Sequence, residues 1–155
     1  MKKVLIWPLI VMLICALLCF AACPSDPENS NDEQNSDENE VYSMKITIGN
    51  KEFTATLYDT AAAQAFVKLL PMTLDMSELN GNEKYHNLST TLPTNAERVG
   101  KISAGDIMLY GNNCIVLFYK SFSTAYSYTK IGKIDDVAGL AQAVGSGSVT
   151  VTFQK

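Results

Sequence analysis

From residue 44 onward the apolar and polar positions keep changing period. Met44–Ile48 reads MKITI and Glu52–Leu57 reads EFTATL; both alternate, with Phe53, Ala55 and Leu57 on one face. Alternation with period 2 predicts strands with one buried face. GNK lies between them, and Gly49-Asn50 suits a two-residue type II′ turn, because glycine takes φ > 0 without cost. A β-hairpin is predicted. Over Thr60–Leu70, TAAAQAFVKLL, the period becomes helical: Ala62, Phe66, Leu69 and Leu70 share a face. Asp59 or Thr60 supplies an N-cap and Pro71 a stop. Met72–Met76, MTLDM, alternates again, with Met72, Leu74 and Met76 inward.

Residues 79–104 break the pattern. Asn-Gly, Pro and Thr-Asn clusters predict turns, so the span reads as one long loop, a kind that often carries function. DIMLY and CIVLFY follow, joined by GNN; neither alternates strictly, so both are expected to be covered on two faces. YSYTKIGKI predicts one or two further strands. Asp135–Gly145, DDVAGLAQAVG, predicts a short helix with an Asp cap and a glycine end. Ser148–Phe153 is a last alternating strand. Seven or eight short strands with two short helices predict a mainly β fold, and a small closed barrel gives such strands a core without exposed edges.

The segment before this domain has a different character. MKK is a short positive start, and VLIWPLIVMLICALLCFAA is uncharged and almost wholly apolar, a secretory signal pattern over residues 1–22. A run of that length also competes as a membrane span, which needs roughly 20 apolar residues. Phe20–Cys23, FAAC, resembles a bacterial lipobox, with small residues before a cysteine that becomes diacylated; Phe20 departs from the usual aliphatic residue. Cys15 and Cys19 fit less well, because Ile14 and Leu18 precede them. Lipidation of Cys23 is the expectation; an uncleaved anchor and a plain secreted protein stay open. All three readings place the domain outside the cytoplasm, in the bacterial cell envelope when lipid-anchored. Acyl chains contribute about 0.8 kcal/mol per buried CH₂, so two or three anchor stably.

Residues 24–40, PSDPENSNDEQNSDENE, hold seven acids, no base and no aliphatic or aromatic residue. That composition predicts a disordered, self-repelling tether, about 56 Å long at full stretch. An acidic stretch after a lipidated cysteine also serves as a surface-export signal in some bacteria. The chain's net charge of −4 resides there: residues 41–155 carry ten Lys or Arg against nine Asp or Glu. Without a basic stripe, nucleic-acid binding has no support. Cys114 is the single cysteine of the 41–155 domain, so no internal disulfide is expected.

Three stretches, LYDTAAAQAFVKLLPMTLDMSELNGNEKY, PTNAERVGKISAGDIMLYGNNCIVLFYKSFSTAYSYTKIGKIDD and GSGSVTVTF, closely resemble the bacterial cyclophilin-like domain family over nearly all of residues 44–155. The resemblance implies a cyclophilin-type β-barrel, found in secreted and lipid-anchored proteins. It does not bring a function, because none is established for the family. Prolyl isomerases of that fold use an arginine within a Phe-His-Arg motif, and no such motif is present. The domain has one arginine, Arg98 in NAERVGK, and one histidine, His86 in KYHNLS.

Candidate chemistry is correspondingly sparse. His86 lacks partners at metal-ligand spacing, so no metal or cofactor is expected. Cys114 opens an apolar strand and reads as a structural thiol. Asp135-Asp136 reads as a helix start, where acids suit the helix dipole. The loop Asn80–Asn87 gathers Glu83, Lys84, Tyr85 and His86 as a candidate barrel mouth, with Asn80, Glu83 and Tyr85 as its binding candidates. Leu109–Ile134 holds six of the fourteen aromatic residues. Phe118 and Phe122 are expected to pack inside, while Tyr110, Tyr119, Tyr126 and Tyr128 line a rim. With Arg98 these form the candidate binding set. The expected role is a non-catalytic module for a peptide, small ligand or envelope protein; the alternative is a divergent peptidyl-prolyl cis-trans isomerase.

Overall fold

The computed structural model describes residues 43–155; the signal segment, Cys23 and the acidic tether lie outside the described residues. In chain order the elements are β1 (Ser43–Ile48), β2 (Lys51–Leu57), α1 (Ala61–Val67), β3 (Met72–Leu79), β4 (Glu83–Asn87), β5 (Glu97–Arg98), β6 (Lys101–Ile102), β7 (Asp106–Tyr110), β8 (Cys114–Phe118), β9 (Phe122–Ser123), β10 (Ser127–Ile134), α2 (Leu140–Val144) and β11 (Val149–Gln154). Eight strands run in the order β2-β1-β11-β3-β4-β8-β7-β10, and β10 pairs back to β2, closing an antiparallel barrel. At the closure Gly132 faces Leu57 and Ile134 faces Ala55.

The interior follows from alternation. Met44, Ile46 and Ile48 of β1 point inward with Phe53, Ala55 and Leu57 of β2, Ile107 and Leu109 of β7, and Ile115 and Leu117 of β8. Both helices join this core. Thr60 caps α1 by accepting a hydrogen bond from the Ala63 N–H at 3.1 Å, which lets Ala62, Phe66 and Val67 face the barrel. The Phe66 ring meets Phe153 edge-on at 5.7 Å. Burial of such side chains contributes about 1.5–3 kcal/mol each.

Two local expectations are corrected. Glu83–Asn87 is not loop but a strand, paired to β3 and β8. It is reached by a turn at Asn80 (φ 55°) and Gly81 (φ 69°), with the Asn82 N–H donating to the Leu79 carbonyl. Two central residues with positive φ make a type I′ turn, for which Asn-Gly is the favoured pair. The second helix starts at Leu140, not Asp135, and Gly139 precedes it in the left-handed region without a side-chain cap. Asp136 instead accepts from the Ala138 N–H at 2.9 Å, and Asp135 accepts from the Thr56 hydroxyl at 2.7 Å.

Candidate functional site

The outer face of β7, β8 and β10 carries a second, smaller core. Met108, Val116, Phe118 and Tyr128 point away from the barrel interior and are covered by Ile102 of β6, with Val99, Phe122 and Cys114 packed around them. The cover is the short β6–β9 ribbon, pairing Lys101 with Ser123 and Ile102 with Phe122, together with β5 against β10. That explains the continuous apolar runs DIMLY and CIVLFY: one face fills the barrel and the other faces this layer.

Beside the cover the same face stays open as a cleft of about 740 Å³. Its floor is Tyr85 from β4, Cys114 and Val116 from β8, and Tyr128 from β10. One end is the Asn80–Asn82 turn; another is the β7–β8 turn with Gly111, Asn112 and Asn113; the wall is Phe122–Tyr126. The wall is held from behind. The Thr124 N–H donates to the Gly100 carbonyl at 2.9 Å, the Ala104 N–H to the Ser121 hydroxyl at 3.0 Å, and Arg98 Nε to the Ala125 carbonyl at 3.3 Å. Aromatic rings run across the site in contact: Tyr126 to Tyr110 at 6.1 Å, Tyr110 to Tyr128 at 5.6 Å, Tyr128 to Phe118 at 5.4 Å, and Phe118 to Phe122 at 5.7 Å. Tyr126 is 63% exposed and Tyr110 47%, while Tyr128 is buried. Exposed rings with a buried one behind them form an apolar surface with hydroxyl tips.

Glu83 is the charged group of this cleft and is only 8% exposed. Burial, reinforced by Glu78, pushes its carboxyl above the usual carboxylate range. Its neighbour Lys84 does not relieve it, because Lys84 turns to the barrel interior and pairs with Glu78. Burial also pushes the Cys114 thiol up, with a further push from Glu83, so Cys114 is a poor thiolate nucleophile. Tyr128 is pushed up to about 12 by burial and by Glu83, and keeps its proton at neutral pH. A carboxyl whose folded pKa is raised favours the folded state when protonated. Its contribution is therefore complete below the unfolded value of about 4.3 and is lost as pH rises through the raised folded value. Glu83→Gln is expected to match the wild type near pH 4 and to melt at a higher temperature at pH 7.5. Thermal unfolding at the two pH values checks this, and a lower melting temperature at pH 7.5 would mean the carboxylate makes a stabilising contact.

Six of the eight residues named from sequence, Asn80, Glu83, Tyr85, Tyr110, Tyr126 and Tyr128, line the one cleft. Two do not. Tyr119, expected at the rim, is 7% exposed and packs into the barrel core, where its hydroxyl donates to Glu78 at 2.9 Å. Arg98 is exposed on β5 and does not line the cleft; it braces the wall from outside. Phe118 is fully buried, but in the outer layer, not in the barrel interior. Phe122, also expected inside, is half-buried in the cleft wall. His86 donates from Nδ1 to the Asp75 carbonyl at 2.8 Å. Among the described residues no group of three His, Cys, Asp or Glu converges as metal ligands do. Sequence reasoning did not name Asn82, Asn87, Asn112 or Asn113; the first two lie within the Asn80–Asn87 stretch it singled out, and the Gly-Asn-Asn turn was the only signal for the last two.

No curated protein sequence is similar enough to the chain to count as a match. The model of the cyclophilin-like family matches residues 46–154, from the first strand of the barrel to the last. With that match over a closed eight-stranded barrel, the chain belongs to the cyclophilin-like family.

Proposed function

We propose that this protein is a non-catalytic binding module whose outer-face cleft receives a peptide or a small ligand. The observation that carries the reading is the cleft itself: an aromatic floor on a rigid sheet, a braced wall, and asparagine amides at its ends. Binding sites are largely apolar concavities with a few polar groups that fix orientation. A wall already held by hydrogen bonds loses little freedom on binding. Chemistry has less support. The one arginine of the domain stands outside the cleft lining, where it cannot stabilise a twisted amide held inside, and the Cys114 thiol is shifted away from reactivity.

The N-terminal pattern supports an extracytoplasmic address, with a lipid on Cys23 and the acidic segment as tether. Partners are then a membrane through the lipid and an envelope peptide, protein or small molecule at the cleft. Titration of the ¹⁵N-labelled chain with proline-containing peptides tests the cleft. Amide shifts at Tyr85, Tyr110 and Tyr126 without catalysed cis–trans exchange are expected, whereas exchange cross-peaks would make it an isomerase instead. Cys23→Ala is expected to abolish metabolic acyl labelling; a mutant that still labels would overturn the anchor.

A further inference from the structure

The cleft has one feature that an apolar peptide groove does not need. Among the described residues that line it, Glu83 alone carries a formal charge. It sits on β4, two positions before Tyr85 on the same face and directly across from Phe118 of β8. Among the described residues no ion pair reaches it; the three pairs are Lys45–Glu52, Lys84–Glu78 and Lys133–Asp106. Isolated carboxylates at such low exposure are costly to keep and are normally paired. A second acceptor nearby also lacks a partner: Asn82 Oδ1 is buried with no hydrogen bond, and Asn82 lines the same cleft.

Tyrosine rings share the cleft with this carboxylate. Tyr85 and Tyr128 form the floor, and Tyr110 and Tyr126, the two most exposed tyrosines of the set, stand beside them. Aromatic faces attract cations through the ring quadrupole, and boxes of such rings recognise alkylated ammonium groups. A neutral apolar ligand would use the rings and leave Glu83 desolvated and unpaired; an anion would be repelled. A cation on an alkyl stem answers both.

We propose that the cleft selects a ligand bearing an alkylammonium group, the cation held between Glu83 and the faces of Tyr85, Tyr110, Tyr126 and Tyr128. This rests on the reading of the cleft as a binding site and adds the class of its ligand. The shared chemistry has two sources, a free quaternary amine and the lysine side chain of a peptide. The raised carboxyl of Glu83 fits an empty site whose counter-ion arrives with the ligand.

The test titrates the full chain, kept in solution with an uncharged detergent, with choline, n-butylammonium and 3,3-dimethylbutan-1-ol, the neutral isostere of choline, following ¹⁵N amide shifts. At least one cation is expected to bind about tenfold more tightly than the neutral isostere, with shifts at Glu83 and Tyr126. Glu83→Gln, checked for an unchanged amide spectrum, is expected to erase that preference, and Tyr126→Ala, at an exposed position, to weaken the cation several-fold. Choline ahead of n-butylammonium favours a small quaternary amine; the reverse favours a lysine side chain. Equal or tighter binding of the neutral isostere at the cleft overturns the cation and leaves the binding module standing. A preference that survives Glu83→Gln overturns the role of the carboxylate, and no shift with either cation overturns the inference, while peptide titration decides the module separately.

Discussion

Lys84→Ala is expected to cost about 3–5 kcal/mol in unfolding free energy, the range for breaking one side of a buried ion pair. Lys84 is fully buried inside the barrel. Its ammonium has three protons and three acceptors: the Glu78 carboxylate, the Gly145 carbonyl at 2.9 Å and the Gly147 carbonyl at 2.6 Å. It thereby ties the β3–β4 hairpin to the connection between α2 and β11. Alanine would strand two carbonyls, remove the cation from Glu78, and leave a void three methylenes and an ammonium long. Glu78 would keep only the Tyr119 hydroxyl and the Gly81 N–H at 2.7 Å.

The pH dependence of the same network has a definite sign. Burial alone would raise the Glu78 carboxyl, but hydrogen bonds from Lys84, Tyr119 and Gly81 outweigh it and hold the group below its usual range. Its stabilisation is therefore present above the unfolded value of about 4.3 and lost as pH falls through the folded value. Glu83, with a raised folded value, acts in the opposite sense above that pH. Urea unfolding of wild type, Glu78→Gln and Lys84→Ala across pH 3–8 separates them: the Glu78 variant should flatten the acid limb. Tyr119, pushed up to about 12 by burial and by its bond to Glu78, stays a donor throughout. A Lys84→Ala cost under about 1 kcal/mol would place the pair with solvated surface bridges.

This interior pair also explains where sequence reading stopped. The strands that bury ordinary apolar residues were legible: β1 and β2 from their alternation, α1 from its period and Thr60 cap, β7 and β8 from runs too apolar for one-sided burial. EKYHN was not, because β4 inverts the usual pattern. Its fully buried residue is Lys84, opposite Leu117 of the core, while Tyr85 faces the cleft. Polarity therefore pointed the wrong way, and only Asn80-Gly81 marked the hairpin. Tyr119 and Phe118 were exchanged for a related reason. Strand parity sends Phe118 to the outer face and Tyr119 inward, and what makes a tyrosine acceptable inside is the Glu78 carboxylate, forty-one residues away in sequence. Likewise Phe118 is buried outside the barrel because β6 and β9 fold over it, a layer built from two-residue strands too short to show a period. The cleft was legible as residue types, with tyrosines and Glu83 named. That the Asn80–Asn82 turn, the β7–β8 turn and the Phe122–Tyr126 wall meet around one cleft was not legible, because it depends on contacts far apart in sequence.

Closure of the barrel depends on a single small residue. Gly132 lies where the register of β10 against β7 shifts, between Lys130 and Gly132, and it pairs with Leu57 at the β2 seam. A Cβ there would come within 2.8 Å of the Thr56 carbonyl oxygen, 2.9 Å of Leu57 Cδ2 and 3.2 Å of Leu57 Cα. Two of these are main-chain atoms, so the contact is relieved only if the strands part. Gly132→Val is expected to destabilise the domain by about 3 kcal/mol, the upper part of the overpacking range, since its γ-carbons add to the clash. The loss should be local in origin. Hydrogen exchange should quicken first at amides of the β2–β10 seam, such as the Tyr58 N–H that donates to the Ile131 carbonyl at 3.0 Å. Opening that seam exposes strand edges, so faster aggregation should accompany it. Gly147→Ala is the control, because a Cβ at Gly147 meets nothing within 4 Å; its effect should stay within about 0.5 kcal/mol. If Gly132→Val is as mild as Gly147→Ala, the β2–β10 pairing is looser than the close contact implies. The barrel would then behave in solution as an open sheet with a free edge.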